Sequence, residues 1–273
     1  MRTLLTALTA LMLLATPVVA GDQEKFQDAL RAYQAGNYQK AFRLYKPLAE
    51  RGYAAVQYNL GLMYDLGQGV LKDDTKAVHW YREAAERGYV SAQHNLGVMY
   101  RTGQGVLEDN AKAFHWFSKA AEQGDVSGQY NLGVMYANGE GVPKNDAKSV
   151  HWYRKAAEQG YVNAQYNLGQ KYRKGEGIPK DDAKAVYWYR KAAQQGDAEA
   201  QFNFGSMFAN GKGVSKNYVE AYAWWSIAAA QGREDAKKNK GTIEKRMTRD
   251  QLAKGQELSS EYWKKYVVPF QKD

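Results

Sequence analysis

The chain has 273 residues, 44% of them apolar, no cysteine and a formal net charge of +9. Without cysteine there is no disulfide framework, no thiol nucleophile and no cysteine-ligated metal, so a packed core must hold the fold. The positive excess is mild, and about half of it lies in residues 233–273, where eleven Lys/Arg stand against seven Asp/Glu. That bias suits an acidic partner or an anionic envelope surface and not nucleic acid, for which no binding motif is present.

Residues 1–20 read as a signal peptide. Arg2 supplies a basic start, Leu4 to Ala15 is apolar, and Pro17 precedes Val18-Val19-Ala20, a small-residue cleavage site. The apolar run falls short of the ~20 residues that a spanning helix needs. Cleavage after Ala20 is expected to release a periplasmic or secreted chain that does not span the membrane. Residues 22–52 follow as an N-terminal capping hairpin, with Phe26, Leu30 and Tyr33 on one helix and Ala41, Leu44, Tyr45 and Leu48 on the next.

From residue 53 to 232 a unit of 36 residues is copied five times. That step relates Gly88, Gly124, Gly160, Gly196 and Gly232, and likewise Trp80, Trp116, Trp152, Trp188 and Trp224. A fixed period of this size marks a solenoid, whose units bury their apolar faces against one another. In the first unit Ala54 to Leu66 has a helical period, and Gly67 stops it because glycine accepts the left-handed conformation of a helix end. Asp73 and its copies Asp109, Asn145, Asp181 and Asn217 are expected to cap the second helix. Along that helix Ala77, Trp80, Tyr81, Ala84 and Ala85 make one apolar stripe, so all five repeat tryptophans are assigned to the core. Gly61 recurs at Gly97, Gly133, Gly169, Gly205 and Gly241. Mid-helix glycine costs roughly 1 kcal/mol against alanine, which close helix approach would offset, with Ala84-Ala85 as the expected facing surface.

Residues 233–273 differ from the repeats, as a capping segment should. Thr248-x-x-Gln251 reads as a capping box, and Leu252, Leu258, Tyr262, Trp263 and Tyr266 are placed to close the array. The expected fold is all-α, a right-handed α–α superhelix (solenoid) of tandem helical hairpins.

The repeated residues Gln57-x-Asn59-Leu60-Gly61-x-Met63-Tyr64, Gly67-x-Gly69-Val70 and Ala77-x-x-Trp80-Tyr81-x-x-Ala84-Ala85-x-x-Gly88 resemble the Sel-one-like repeat family, relatives of tetratricopeptide repeats. The resemblance covers residues 53–232, while 22–51 look more like a plain tetratricopeptide hairpin. It implies adaptor and scaffold roles, often in envelope, secretion, polysaccharide or stress-related systems. Some family members are cysteine-rich and linked to penicillin recognition. This chain has no cysteine, no Ser-x-x-Lys and no Lys-Thr-Gly, so a penicillin-directed serine nucleophile is not supported.

If the geometry resembles tetratricopeptide repeats, the first helices line a concave inner face. There Asn59, Asn95, Asn131, Asn167 and Asn203 form a row whose amides can hold the main chain of an extended peptide. Packing of neighbouring helices is the other use for that row. Tyr58, His94, Tyr130, Tyr166 and Phe202 form an aromatic row beside it, suited to sugar rings, apolar side chains or packing within the solenoid. Arg101, Arg173 and Lys174 can add positive charge, and Val134 lies mid-groove. Asp65 and Glu199 vary with the cations between units, as specificity positions should. The expected function is a non-enzymatic adaptor for a protein or peptide partner in the envelope, with the basic C-terminal segment available to an anionic surface. An envelope polysaccharide or peptidoglycan, bound through the aromatic row, is the alternative. No cofactor or metal is expected: His79, His115 and His151 lie a repeat apart, too far to share a zinc ion at ~2 Å. The Gly-x-Gly loops follow no strand and lack the lysine context of a phosphate cradle.

Overall fold

Each hairpin starts where a side chain caps it and turns where a glycine lets it. The structure, a computed structural model, describes residues 21–271; the expected signal peptide lies outside the described residues. Among those there are fourteen α-helices and no strand, and the fold is an all-α tandem-hairpin solenoid of tetratricopeptide type. The chain divides into two compact units, residues up to 135 with 139–143, and residues 136–138 with 144 onward. The first unit holds α1 (Asp22–Gln34), α2 (Tyr38–Glu50), α3 (Ala54–Leu66), α4 (Asp74–Glu86), α5 (Val90–Thr102), α6 (Asn110–Glu122) and most of α7 (Val126–Asn138). The second holds α8 (Asp146–Glu158), α9 (Val162–Lys174), α10 (Asp182–Ala193), α11 (Ala198–Asn210), α12 (Tyr218–Ala230), α13 (Glu234–Glu244) and α14 (Arg249–Tyr266), with a 3-10 turn at Val268–Phe270.

The expected caps form. Asp73, Asp109, Asn145 and Asp181 accept from the backbone N–H of Lys76, Lys112, Lys148 and Lys184 at 2.9–3.0 Å. Asn217 accepts from Val219 and Glu220, and Thr248 with Gln251 closes a capping box on α14. Gly67 ends α3 with a left-handed φ of 67°.

The mid-helix glycines do mark a close approach, but not to the alanine pair. A Cβ on Gly61 would lie 2.6 Å from the Tyr81 ring, one on Gly97 2.8 Å from Phe117, and one on Gly169 2.8 Å from Tyr189. The second helix thus lays a buried aromatic ring over the glycine of its own hairpin. Burying such a ring yields about 2–3 kcal/mol, more than the glycine costs. Gly241 keeps the register yet meets nothing within 4 Å, so the capping helix α13 does not use it.

The ring at position 81 also displaces its neighbour. Trp80, Trp116, Trp152 and Trp188 are half-buried at the outer edge of the second helices, which corrects the assignment of all five to the core; Trp224 alone of the five is buried. Consecutive helical residues point about 100° apart, and Tyr81 and its copies take the inward direction. Trp224 is covered because Tyr262 and Tyr266 of α14 pack on it at 4.5 and 5.4 Å.

Two devices join neighbouring hairpins. Buried Gln57, Gln93, Gln165 and Gln201 donate Nε2 to the carbonyls of Ala49, Ala85, Ala157 and Ala193, each at 3.1 Å. Gln93, Gln165 and Gln201 also accept from Gln123, Gln195 and Gln231 at 2.7–2.8 Å. The corresponding donor position for Gln57 is Arg87, which turns instead to Glu83, and the buried Gln57 Oε1 has no partner. The second device is the loop: Gly105 and Gly177 lie against the backbone of Asp74 and Asp146 at the start of the preceding second helix.

One residue breaks the core pattern. Lys171 stands where other units have buried Met63, Met99, Met135 and Met207, and it is itself buried. Its Nζ donates to Asp146 at 2.7 Å and Glu176 at 3.0 Å. Burial acts to lower the Lys171 pKa, but the hydrogen bonds and charges of the two acids outweigh it and leave it raised. The bond from Lys171 holds both carboxyls below their usual values. Their contribution to stability is therefore present above the ordinary carboxylate pKa of about 4 and is lost as pH falls through the depressed folded values. Lys171→Met is expected to raise stability by about 1 kcal/mol at neutral pH, since replacing a buried ion by a well-packed apolar side chain is often stabilising. Urea unfolding should show that gain widening from pH 7 to pH 3, because only the parent chain loses the paired carboxylates.

Candidate functional site

In the first unit the first-helix face is a network of rungs. Tyr58 packs on Tyr81 and Tyr89 with ring centroids 5.8 and 4.9 Å apart, and His94 packs on Phe117 at 5.7 Å. Asn59 acts to lower the pKa of the Tyr45 phenol in the preceding hairpin, and Asn95 acts likewise on Tyr58 and Tyr81. Burial pushes Tyr58 up to about 12 and Tyr45 and Tyr81 higher still, so these phenols keep their protons at neutral pH. His94 Nδ1–H donates to Asn95 Oδ1 at 3.3 Å, and Asn131 Nδ2 donates to His94 Nε2 at 3.4 Å. Arg101 completes the chain by donating to Asn131 Oδ1 at 2.9 Å, with its guanidinium 5.7 Å from the Phe117 ring. Tyr130 and Val134 are half-buried on α7. Asp65, in Arg101's place one repeat earlier, accepts from the Tyr81 hydroxyl and from Gln104, both at 3.2 Å.

The second unit repeats the plan with more exposed charge. Tyr166 packs on Tyr189 at 6.0 Å, and Phe202 stacks on Trp225 at 6.3 Å. Asn203 donates to the Glu199 carbonyl of its own helix at 2.8 Å. Asn167 is half-buried on α9. Arg233 lies 5.1 Å from the Phe202 ring and pairs with Glu199. Arg173 and Lys174 are exposed in the last turn of α9. Burial raises Tyr189 to about 12 against the nearby Arg173 charge, which pulls it down.

The residues expected to meet a ligand are thus brought together unit by unit, and each row has internal work. Asn131 ties its first helix to the preceding one through His94, Asn203 bonds within its own helix, and Tyr58, His94, Tyr166 and Phe202 pack on the second helix of their own hairpin. What they leave toward solvent is the edge of the aromatic row with the half-buried Asn59, Asn95, Asn167 and Asn203, Asn131 being buried, flanked by Arg101 in one unit and by Arg173 and Lys174 in the other. Among the described residues no three His, Asp or Glu converge as a metal site, and no helix is long and apolar enough to cross a membrane. Sequence reasoning missed the glutamine rungs. Their signal was there: Gln57 recurs at the same step of 36 as the core, and a polar residue in step with a core needs an internal bond.

A family model of the Sel1 repeat matches residues 29–53, 54–89, 90–125, 126–161, 162–197 and 198–232. Among solved structures, a Sel1 repeat protein from Oxalobacter formigenes is 35% identical, over 88% of this chain and 99% of that one, with a TM-score of 0.70. The protective antigen c5321 of uropathogenic Escherichia coli is 30% identical over 91% of this chain and 70% of that one, with a TM-score of 0.45. A Sel1 repeat protein from Klebsiella pneumoniae is 26% identical over 73% and 97%, with a TM-score of 0.44. A search of curated proteins finds no match.

Proposed function

The chain belongs to the Sel1 repeat family, whose members are generally protein–protein interaction scaffolds, and from that premise we propose that it is a non-enzymatic adaptor of the bacterial envelope. Its partner is a protein or extended peptide held on the face built by the first helices. The observation that carries this reading is a position of changing charge beside a fixed row of asparagines. It runs Asp65, Arg101, Ala137, Arg173 and Ala209, while the neighbouring asparagine never changes. Rigid rungs preorganise the face, which cuts the ordering cost of binding, and the variable charges select the partner. Lys174 adds to Arg173 on α9, and the signal peptide delivers the chain to the periplasm or beyond.

Two readouts test this. The N-terminus of the chain recovered from the envelope fraction is expected to begin at Gly21; an intact Met1 would overturn the export reading. On immobilised full-length chain, an exported partner is expected to be retained at low salt and released toward about 0.5 M salt, where surface charges are screened. Reversing the exposed pair with Arg173→Glu and Lys174→Glu should weaken retention at least about tenfold, the loss of one strong contact, while the helix content stays unchanged. Retention indifferent to both would move the site off this face.

A further inference from the structure

The second helices carry a cleft that occurs twice in the same register. One, of about 650 Å³, is floored by Trp116; the other, of about 490 Å³, is floored by Trp188, 72 residues on. In the first, His115 stands edge-on to Trp116 with centroids 5.0 Å apart, the Gln93–Gln123 rung forms a wall, and Glu86 and Lys119 form the lip. In the second the same places hold Tyr187 at 4.9 Å from Trp188, the Gln165–Gln195 rung, and Glu158 and Lys191. Neither cleft involves the residues of the first-helix face.

The second unit also shows what fills such a cleft. One repeat beyond Trp188, Tyr262 and Tyr266 of α14 pack on Trp224. Phe270 lies against Gly196, so close that a Cβ there would sit 3.1 Å from the Phe270 Cβ. Gly196 holds the place that Gly160 has in the Trp188 cleft. Three aromatic side chains therefore occupy the equivalent seat: Tyr262 and Tyr266, at i and i+4 on one face of α14, and Phe270 in the 3-10 turn that follows it.

We propose that the Trp116 and Trp188 clefts are docking sites for an amphipathic helix of another protein that presents aromatic side chains at i and i+4 and a third in the turn that follows the helix. The chain's own C-terminal helix is the pattern for this guest but fits the open clefts poorly. Ala223, fully buried, precedes Trp224 where the open clefts have His115 and Tyr187. Lys264 of α14 lines one cavity with Ile227, whose places in the open clefts are Lys119 and Lys191, so α14 of a second copy would bring a lysine to a cleft already edged by lysine. The guest carries an acidic residue at that point, two residues after its first aromatic, and its rings stack on tryptophan as hot-spot anchors do.

The test uses full-length chain labelled with fluorotryptophan and read by fluorine NMR, with each resonance assigned by single substitution. The probe is a stapled Ala/Glu/Lys helix with Tyr at i and i+4 and Glu at i+2, closed by a Val-Val-Pro-Phe turn after the second Tyr. The Trp116 and Trp188 resonances are expected to move while Trp224 stays, and a probe with alanine for the three aromatics should move neither. Lys119→Glu with Lys191→Glu should weaken probe binding about tenfold. Trp116→Ala, at a half-exposed position, should abolish one of the two sites in a chain that keeps its helix content. Unmoved Trp116 and Trp188 resonances at millimolar probe would overturn the proposal. So would movement of Trp224 alone, which means displacement of α14, or movement of Trp116 with chain concentration in the absence of probe, which means a second copy fills the cleft.

Discussion

Replacing Gly105 by alanine is expected to lower stability by about 3 kcal/mol, toward the upper end of what single substitutions do. Gly105 has a φ of +69°, a conformation that costs an L-residue about 1–2 kcal/mol. The larger part of the loss comes from elsewhere: an added Cβ would fall inside the Asp74 carbonyl, which is backbone and cannot rotate aside. The loop would have to lift from α4 and open the joint between two hairpins. Gly124 is the control, with a φ of +93° and open space around its Cβ position, so Gly124→Ala should lose only the conformational part, about 1 kcal/mol. Urea midpoints of the two variants separate the causes. Equal losses would mean that the contact with Asp74 is not what requires glycine.

Trp224→Ala is expected to cost about 3–5 kcal/mol, the usual range for deleting a buried aromatic side chain. It would also release α14, because Tyr262 and Tyr266 pack on the Trp224 ring and the hydroxyl of Tyr262 donates to Glu220 at 3.0 Å. Limited proteolysis should then cut within residues 249–271 at protease levels that leave the parent chain intact. Trp116→Ala removes the same side chain from the same place in the repeat, yet should cost only about 1 kcal/mol, in proportion to the smaller apolar area it hides. If both variants lost the same stability, α14 would not be the reason that Trp224 is buried.

Much of this architecture was legible because it depends on residues close in sequence. The step of 36, the caps at Asp73 and its copies, and the capping box at Thr248 each rest on local chemistry that a string of residues displays. The partner of Gly61 was not legible. A constant period says that Gly61 and Tyr81 both recur, but whether the ring or the Ala84-Ala85 pair faces the glycine depends on how the second helix is rotated. The same rotation decides between Trp80 and Tyr81, adjacent apolar residues of which only one points inward. The burial of Trp224 needed α14, some forty residues on, which no repeat period reports. On the first-helix face, an invariant asparagine is what either a peptide clamp or a helix-to-helix rung would require. The geometry supplies such a rung at Asn131, between His94 and Arg101, and the identity of the residue alone could not. Lys171 is the opposite case: a lysine in a column of methionines announces a local exception before any fold is known.

The most direct test of the adaptor reading is a photo-crosslinking residue at position 134, on the α7 segment of the first-helix face, in full-length chain made in its own cells. Mass spectrometry of the captured material is expected to return one recurrent exported protein. Glycan adducts, or capture from a probe in α14 with none from position 134, would contradict it.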